Sequence, residues 1–324
     1  MKFRKLEASE HEKTRSLYEE VFSEDEASFV NYYYQWKTKD NQIYVAEEEQ
    51  EIHAMVHLNP CEICWNGTIQ KIDYIVAVAT RASSRHQGLM RRLLELAMHE
   101  MYAQKRPFVF LMPASEAIYT PFGFRRTWSW QREDDVVLGS MAKKDGAMPE
   151  VKCSRAGQLP EALRDLKLQR LSDNVNACLS EHFTMFSWRS PRYYCDLEAQ
   201  QKASAGELQL LYADGEPVCS RCTIRESFPP MMSRIIHLPA FIRQIRSEEE
   251  QLFCLEITDP ILPENNGLFE IHLTTEGGTL KRIGRPGEAV LRAAEAVPRV
   301  AVCDLPGFLE HQNPFRSAMI CEVV

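Results

Sequence analysis

The chain of 324 residues is 44% hydrophobic and 26% charged, which is too apolar for a disordered segment and too long for one ordinary core. Its formal charge of −8 argues against nucleic acid as a partner, since phosphate binding calls for a basic surface; the same balance suits a cationic ligand and equally suits solubility alone. The opening MKFRKLEASEHEK shows no apolar leader, and the longest apolar runs, YIVAVA (74–79) and FVFLM (108–112), are too short for a bilayer, so no membrane partner is expected. The ten cysteines then read as free thiols of a reducing cytoplasm.

Taken in chain order, residues 7–24 predict an amphipathic helix with Leu17, Tyr18 and Val21 on one side, and residues 26–37 a second, aromatic-rich helix. Strands are expected over 42–48, 51–64 and 67–80, the last two joined at Asn66-Gly67, a hairpin turn signal. Residues 88–104 repeat apolar side chains at Met90, Leu93, Leu94, Ala97 and Met101, a helical period. A buried strand (107–112), a short helix (115–124) stopped by Pro121 and Gly123, and a strand (125–130) follow. This is a mixed α/β unit with one strand–helix–strand crossover at its centre, within an α+β chain. Residues 139–150 read as a linker. Beyond it come a helix over 160–174, a hairpin over 207–224 turning at Asp214-Gly215, a boundary at Pro229-Pro230, a helix over 238–245 and strands over 251–258 and 268–274. Two C-x-x-C pairs, Cys61/Cys64 and Cys219/Cys222, lie in predicted strands, where positions i and i+3 face opposite ways; no metal site is expected from them.

The segment SSRHQGLMRRLLE (83–95) carries the chemistry. It has neither the Lys-Ser/Thr of a Walker loop nor the three glycines of a dinucleotide fingerprint. It does have R-x-x-G (Arg85 to Gly88) between an apolar strand and a helix. Free amides at a helix start attract a pyrophosphate, glycine lets it approach, and Arg85 adds a charged contact. The alternative is an ordinary helix start with solvated arginines.

The run from Thr80 through Arg85, Gly88 and Leu94 resembles the acetyl-CoA motif of the GCN5-related N-acetyltransferases (GNATs), with Met90 in place of the usual small residue. ASEAIYTPFGF (114–124) resembles a segment of the Eis-like subfamily, and LEITDPILPENNGLFEI (255–271) resembles the sterol-carrier-protein-like domain that ends such chains. The resemblance implies three domains: a GNAT domain over 1–145, a reduced second GNAT-like domain without a cofactor motif over 150–228, and a sterol-carrier-like domain over 229–324. It implies acetyl-CoA as cosubstrate and no metal. Val78, Ala79 and Thr80 would pair with the pantetheine arm. Arg85, His86, Gln87, Gly88, Leu89, Met90 and Arg91 would surround the diphosphate, and Ser115 would lie near the thioester. It makes Tyr119 the general acid and the α-carboxylate of Val324 the base. Glu24, Glu26, Trp36 and Glu116 are the candidates for binding a small cationic amine, such as an aminoglycoside or polyamine. The family assembles as hexamers, so a homo-oligomer is expected. Two other readings stay open: a protein or peptide acetyltransferase, and a degenerate scaffold that holds an apolar ligand.

Overall fold

The computed structural model describes residues 1–142, 150–224, 228–285, 297–309 and 312–320. Strand β1 (Lys2–Lys5) is followed by α1 (Arg15–Val21), α2 (Ala27–Gln35), β2 (Gln42–Glu48), β3 (Glu51–Trp65) and β4 (Thr68–Thr80). The β3–β4 hairpin turns on Asn66 and Gly67, both left-handed (φ 50° and 80°), which matches the twist of the flanking strands. Then come α3 (Leu89–Ala103), β5 (Phe108–Leu111), the single-turn α4 (Glu116–Tyr119) and β6 (Arg125–Arg126). The apolar stripe of α3 (Leu89, Leu93, Leu94, Ala97, Met98, Met101) packs with Tyr44, Ala46, Val56 and Leu58 of the sheet. On the opposite face, α1 and α2 enclose Tyr18, Tyr33, Tyr34 and Met55.

The middle region comprises α5 (Glu133–Met141), β7 (Lys152–Arg155), α6 (Glu161–His182), β8 (Met185–Ser187), α7 (Pro191–Ala203), β9 (Leu208–Ala213) and β10 (Glu216–Cys222). Its sheet order is β10-β9-β7. The final region comprises β11 (Met232–Ile235), α8 (Leu238–Arg243), β12 (Gln251–Thr258), β13 (Gly267–Leu273), β14 (Gly278–Gly284), β15 (Arg299–Ala301), α9 (Leu305–Phe308) and β16 (Ala318–Met319). Its four-stranded sheet has the order β14-β13-β12-β15.

The first sheet recruits strands from elsewhere in the chain. Its path is β1-β2-β3-β4-β5-β11-β6, so β11 separates β5 from β6. β8 lies antiparallel to the end of β3, with Ile63 opposite Ser187, and β16 runs parallel to β8. Leu255, Ile257, Phe269 and Ile271 of the last sheet share a core with Trp65, Phe108 and Trp128. Cys61 belongs to that core while Cys64 packs with the middle region, so the first C-x-x-C pair diverges across the sheet.

Several expectations need amending. The stretch 7–24 divides into a 3-10 helix (Ala8–Thr14) and α1, and the strand expected over 125–130 is regular only at Arg125–Arg126. The expected linker begins inside α5, which extends to Met141; residues 143–149 lie outside the described ones. The helix α6 continues eight residues beyond 174. The structure adds α7, whose start is marked by Ser190-Pro191: Ser190 Oγ accepts from the Tyr193 amide at 3.2 Å.

Candidate active site

Two features of β4 shape the centre of the first sheet. Opposite β3, Met55 faces Ala79 but His57 faces Val76, so Ala77 and Val78 bulge against a single residue. Ala77 takes a left-handed φ of 48° there. On its other side β4 pairs in parallel with β5 only from Asp73 to Ile75, because β5 ends at Leu111. From Val76 to Thr80 that edge has no strand partner among the described residues. The result is a wedge between β4 and the chain leaving β5, whose β4 side offers the backbone groups to which an extended ligand can add.

The Arg85–Gly88 loop stands at the mouth of the wedge. Gly88 adopts φ 75° directly before α3, and a Cβ there would meet nothing within 4 Å, so the cradle is open. His86 is also left-handed (φ 62°). No side chain caps α3, and its first internal bond runs from the Arg92 amide to the Gly88 carbonyl at 3.2 Å. The amides of Leu89, Met90 and Arg91 therefore face outward at the positive end of a 15-residue helix. Leu89 is buried and Met90 packs against the core, so these two offer only backbone. Arg85 is exposed, its Nε 3.3 Å from the Thr80 carbonyl. Gln87 Nε2 donates to the Ser83 carbonyl (3.5 Å), and Arg91 sits over the Phe122 ring at 4.9 Å. Ser115 is the exposed residue immediately before α4.

Tyr119 closes α4 and is buried in the core beneath α3, its ring edge-on to Phe124 at 5.9 Å. Burial pushes its phenol up to about 12. The opposite face of the sheet opens into a cavity of about 1050 Å³ between the first sheet and the middle region. Val76, the bulged Ala77 and Met112 line its floor, while Glu24, Glu26 and Trp36 line one wall. Eight carboxylates and five cationic side chains surround it, together with Phe22, Phe29, Trp130, Trp188 and Tyr193. The excess of carboxylates makes the cavity attractive to a cation, and the rings can face one. Trp36 Nε1 donates to Asp196 Oδ1 at 2.8 Å, joining α2 to α7 across the cavity.

The structure thus brings Glu24, Glu26 and Trp36 together but leaves Glu116 out: it lies off this wall, and Arg126 Nε pairs with it at 3.2 Å. Tyr119 lies on the α3 side of the sheet and is not part of the cavity wall. Val324 lies outside the described residues; the nearby chain is fixed where the Ile320 carbonyl accepts from Trp128 Nε1 at 3.1 Å. Sequence reasoning missed the wall supplied by the middle region. There Glu133 Oε2 accepts from Arg189 Nε (2.9 Å), and Glu133 Oε1 accepts from the amide and hydroxyl of Ser220 (2.7 and 2.8 Å). It also missed Asn59, a buried cavity residue whose amide has no partner among the described residues. A pair 56 residues apart leaves no local pattern to read.

Residues 2–127 match the family model described as an acetyltransferase (GNAT) domain. No curated protein matches the chain. Among solved structures it is similar to a conserved protein of unknown function from Enterococcus faecalis V583, described as a probable N-acyltransferase. That match has 14% identity and a TM-score of 0.66, over 93% of this chain and 87% of that one. It is also similar to a GCN5-related N-acetyltransferase from Kribbella flavida (13% identity, TM-score 0.64, all of both chains). A third similar structure is Eis1 from Mycobacterium abscessus (11% identity, TM-score 0.62, 94% of this chain and 88% of that one). At such identities the likeness is one of fold.

Proposed function

We propose that this chain, whose N-terminal part carries a GNAT acetyltransferase domain, transfers an acetyl group from acetyl-CoA to the primary amine of a small cationic acceptor. One observation carries the reading: the wedge beside the β4 bulge has the buried Tyr119 on one face of the sheet and a carboxylate- and aromatic-lined cavity on the other. A thioester laid along the Val76–Thr80 edge would have its sulfur toward Tyr119 and its carbonyl toward the acceptor.

The residues present suit acetyl-CoA. The outward amides of Leu89 to Arg91, with Arg85, would take the diphosphate, and the cradle at Gly88 would admit it without a clash. The free edge of β4 at Val78 and Thr80 would hold the pantetheine amides as an added strand. Glu24 and Glu26 would draw the acceptor's charge into the cavity, with Trp36 beside them.

In the reaction the amine nitrogen bonds to the carbonyl carbon and the C–S bond breaks. A net proton passes from nitrogen to sulfur. Tyr119 is the proposed relay on the sulfur side: its phenol donates to the departing thiolate and recovers a proton ultimately supplied by the amine. A phenol at about 12 is a weak acid beside a thiol near 8.5, so it contributes chiefly as a hydrogen-bond donor to the developing thiolate. Because burial favours the neutral phenol, Tyr119 stays a donor at every pH below about 12. The resemblance assigns uptake of the amine's proton to the carboxylate of Val324, and that assignment remains part of the proposal. The scaffold reading gains nothing from the last sheet, whose inner face is filled by the shared core.

The test is release of free thiol from acetyl-CoA across a panel of aminoglycosides, polyamines and lysine peptides. Turnover with a small amine and loss of about 100-fold in kcat for Tyr119→Phe are expected, the usual size of a general-acid contribution. Turnover on the peptides alone would replace the acceptor, and full kcat in Tyr119→Phe would remove the phenol from the mechanism.

A further inference from the structure

The TDPILPENNG loop after β12 meets the Tyr119 turn through one buried guanidinium. Arg234, on β11, is 2% exposed. Its Nε donates to the Phe122 carbonyl (2.6 Å), Nη1 to the Ile235 carbonyl (3.0 Å) and Nη2 to Asp259 Oδ1 (2.7 Å). Asp259 Oδ1 also accepts the amides of Ile261 (3.0 Å) and Leu262 (3.1 Å), and Asp259 Oδ2 accepts from Asn265 Nδ2 (2.9 Å). Asn265 is tied in turn to the Ile236 carbonyl and the Leu238 amide. The Asp259 amide donates to Asn266 Oδ1.

Phe122 lies three residues after Tyr119, in the 3-10 turn Thr120–Phe122 that Gly123 ends with φ 79°. A Cβ on Gly123 would stand 3.2 Å from Arg234 Nε, so the guanidinium lies directly under the turn. α4 itself is four residues long, and a single turn cannot hold its own direction in water. Stability alone does not explain the pair. Apolar side chains of similar volume commonly hold a core as well as a buried ion pair does. What a guanidinium adds is a planar set of donors at fixed angles, and here one of them is spent on Phe122 rather than on its carboxylate.

We propose that Arg234, oriented by Asp259 and Asn265, is a positioning residue that fixes the direction of the Tyr119 hydroxyl, so that the region after residue 229 sets the geometry of the proton donor. The inference rests on the reading of Tyr119 as that donor.

A double-mutant cycle tests it. Arg234→Lys keeps a cation beside Asp259 but loses the fork that reaches Phe122. The expected result is a fall in kcat of about 10-fold, the scale of a sub-ångström misplacement, with unchanged acetyl-CoA Kd by calorimetry and unchanged KM for the amine. In the Tyr119→Phe background the same substitution is expected to cost no further kcat, because a mispositioned hydroxyl that is already absent cannot be lost twice. Equal fold losses in both backgrounds would show a merely structural role and overturn the inference while leaving Tyr119 as donor. Full kcat in Tyr119→Phe alone would instead overturn the donor reading, and the inference with it. If Arg234→Lys does not fold, Asp259→Asn is the second variant, since its amide oxygen still accepts from Ile261 and Leu262; the same non-additive loss is expected, and an additive one overturns the inference.

Discussion

The residues proposed to hold acetyl-CoA fall within one stretch, from Val76 to Arg91. The acceptor cavity instead draws its wall from α2, from β3, from residues 130–134 and from α7 and the segment before it. Apart from the Arg85 guanidinium, the first surface is made of backbone: a bulge, a strand edge unpaired among the described residues and three outward amides. The second is made of side chains held in place by contacts between distant segments, such as Arg189 with Glu133 and Trp36 with Asp196. A backbone site needs only the local sequence that bends the chain. A side-chain wall needs the whole fold, and so it is the part that single substitutions should disturb most.

The largest effect is therefore expected at Glu133. Its two oxygens take four donors: Arg189, both groups of Ser220, and the Tyr194 hydroxyl at 3.3 Å. Arg189 is fully buried, so Glu133→Ala breaks a buried ion pair by removing one member, at a cost of about 3–5 kcal/mol. The unfolding free energy from denaturant titration should fall accordingly. A fall of less than about 1 kcal/mol, the scale of an exposed pair, would mean that the wall does not depend on this contact.

The contrast also explains how much of the molecule could be read in advance. The central hairpin, the crossover helix α3, the Gly88 entrance and the α4 turn were legible because each rests on neighbours in sequence: Asn66-Gly67, the 3.6 period from Met90 to Met101 (the structure buries Leu89 at its head instead of Met90), Gly123 after Phe122. β1 was invisible because its Lys-Phe-Arg-Lys is short and mostly charged, and it is held by its pairing with β2, where Arg4 Nε also donates to Glu47 Oε2 at 2.8 Å. α5 was obscured by its polar start, Glu133-Asp134-Asp135, although acidic residues in a first turn are themselves a helix signal. The insertion of β11 between β5 and β6 could not be inferred, because strand order in a sheet is fixed by long-range pairing. Glu116 lies off the cavity because α4 stands on the α3 side of the sheet, where its carboxylate meets Arg126.

On the backbone side, Gly88→Val is expected to raise the acetyl-CoA Kd about 10-fold, through the cost of holding a branched residue at φ 75° and the side chain entering the cradle. Gly88→Asn, which tolerates that φ, should recover part of the affinity. Neither change should move the KM for the amine. Equal weakening of both substrates would join what the comparison separates.

The smallest effect is expected at the mouth of the cavity. Glu24 and Glu26 are exposed, so each interacts with a bound cation through water and ions. Glu24→Gln and Glu26→Gln should each raise the amine KM about 2–5-fold, equivalent to the 0–1 kcal/mol of an exposed pair, with kcat and the acetyl-CoA Kd unchanged. Because screening removes such interactions, the difference between wild type and variant should shrink as salt rises from about 0.01 M to about 1 M, where the screening length falls from about 30 Å to about 3 Å. A variant defect that persists at high salt would mean that the carboxylate touches the acceptor directly and that the mouth, like the Glu133 wall, works by contact rather than by field.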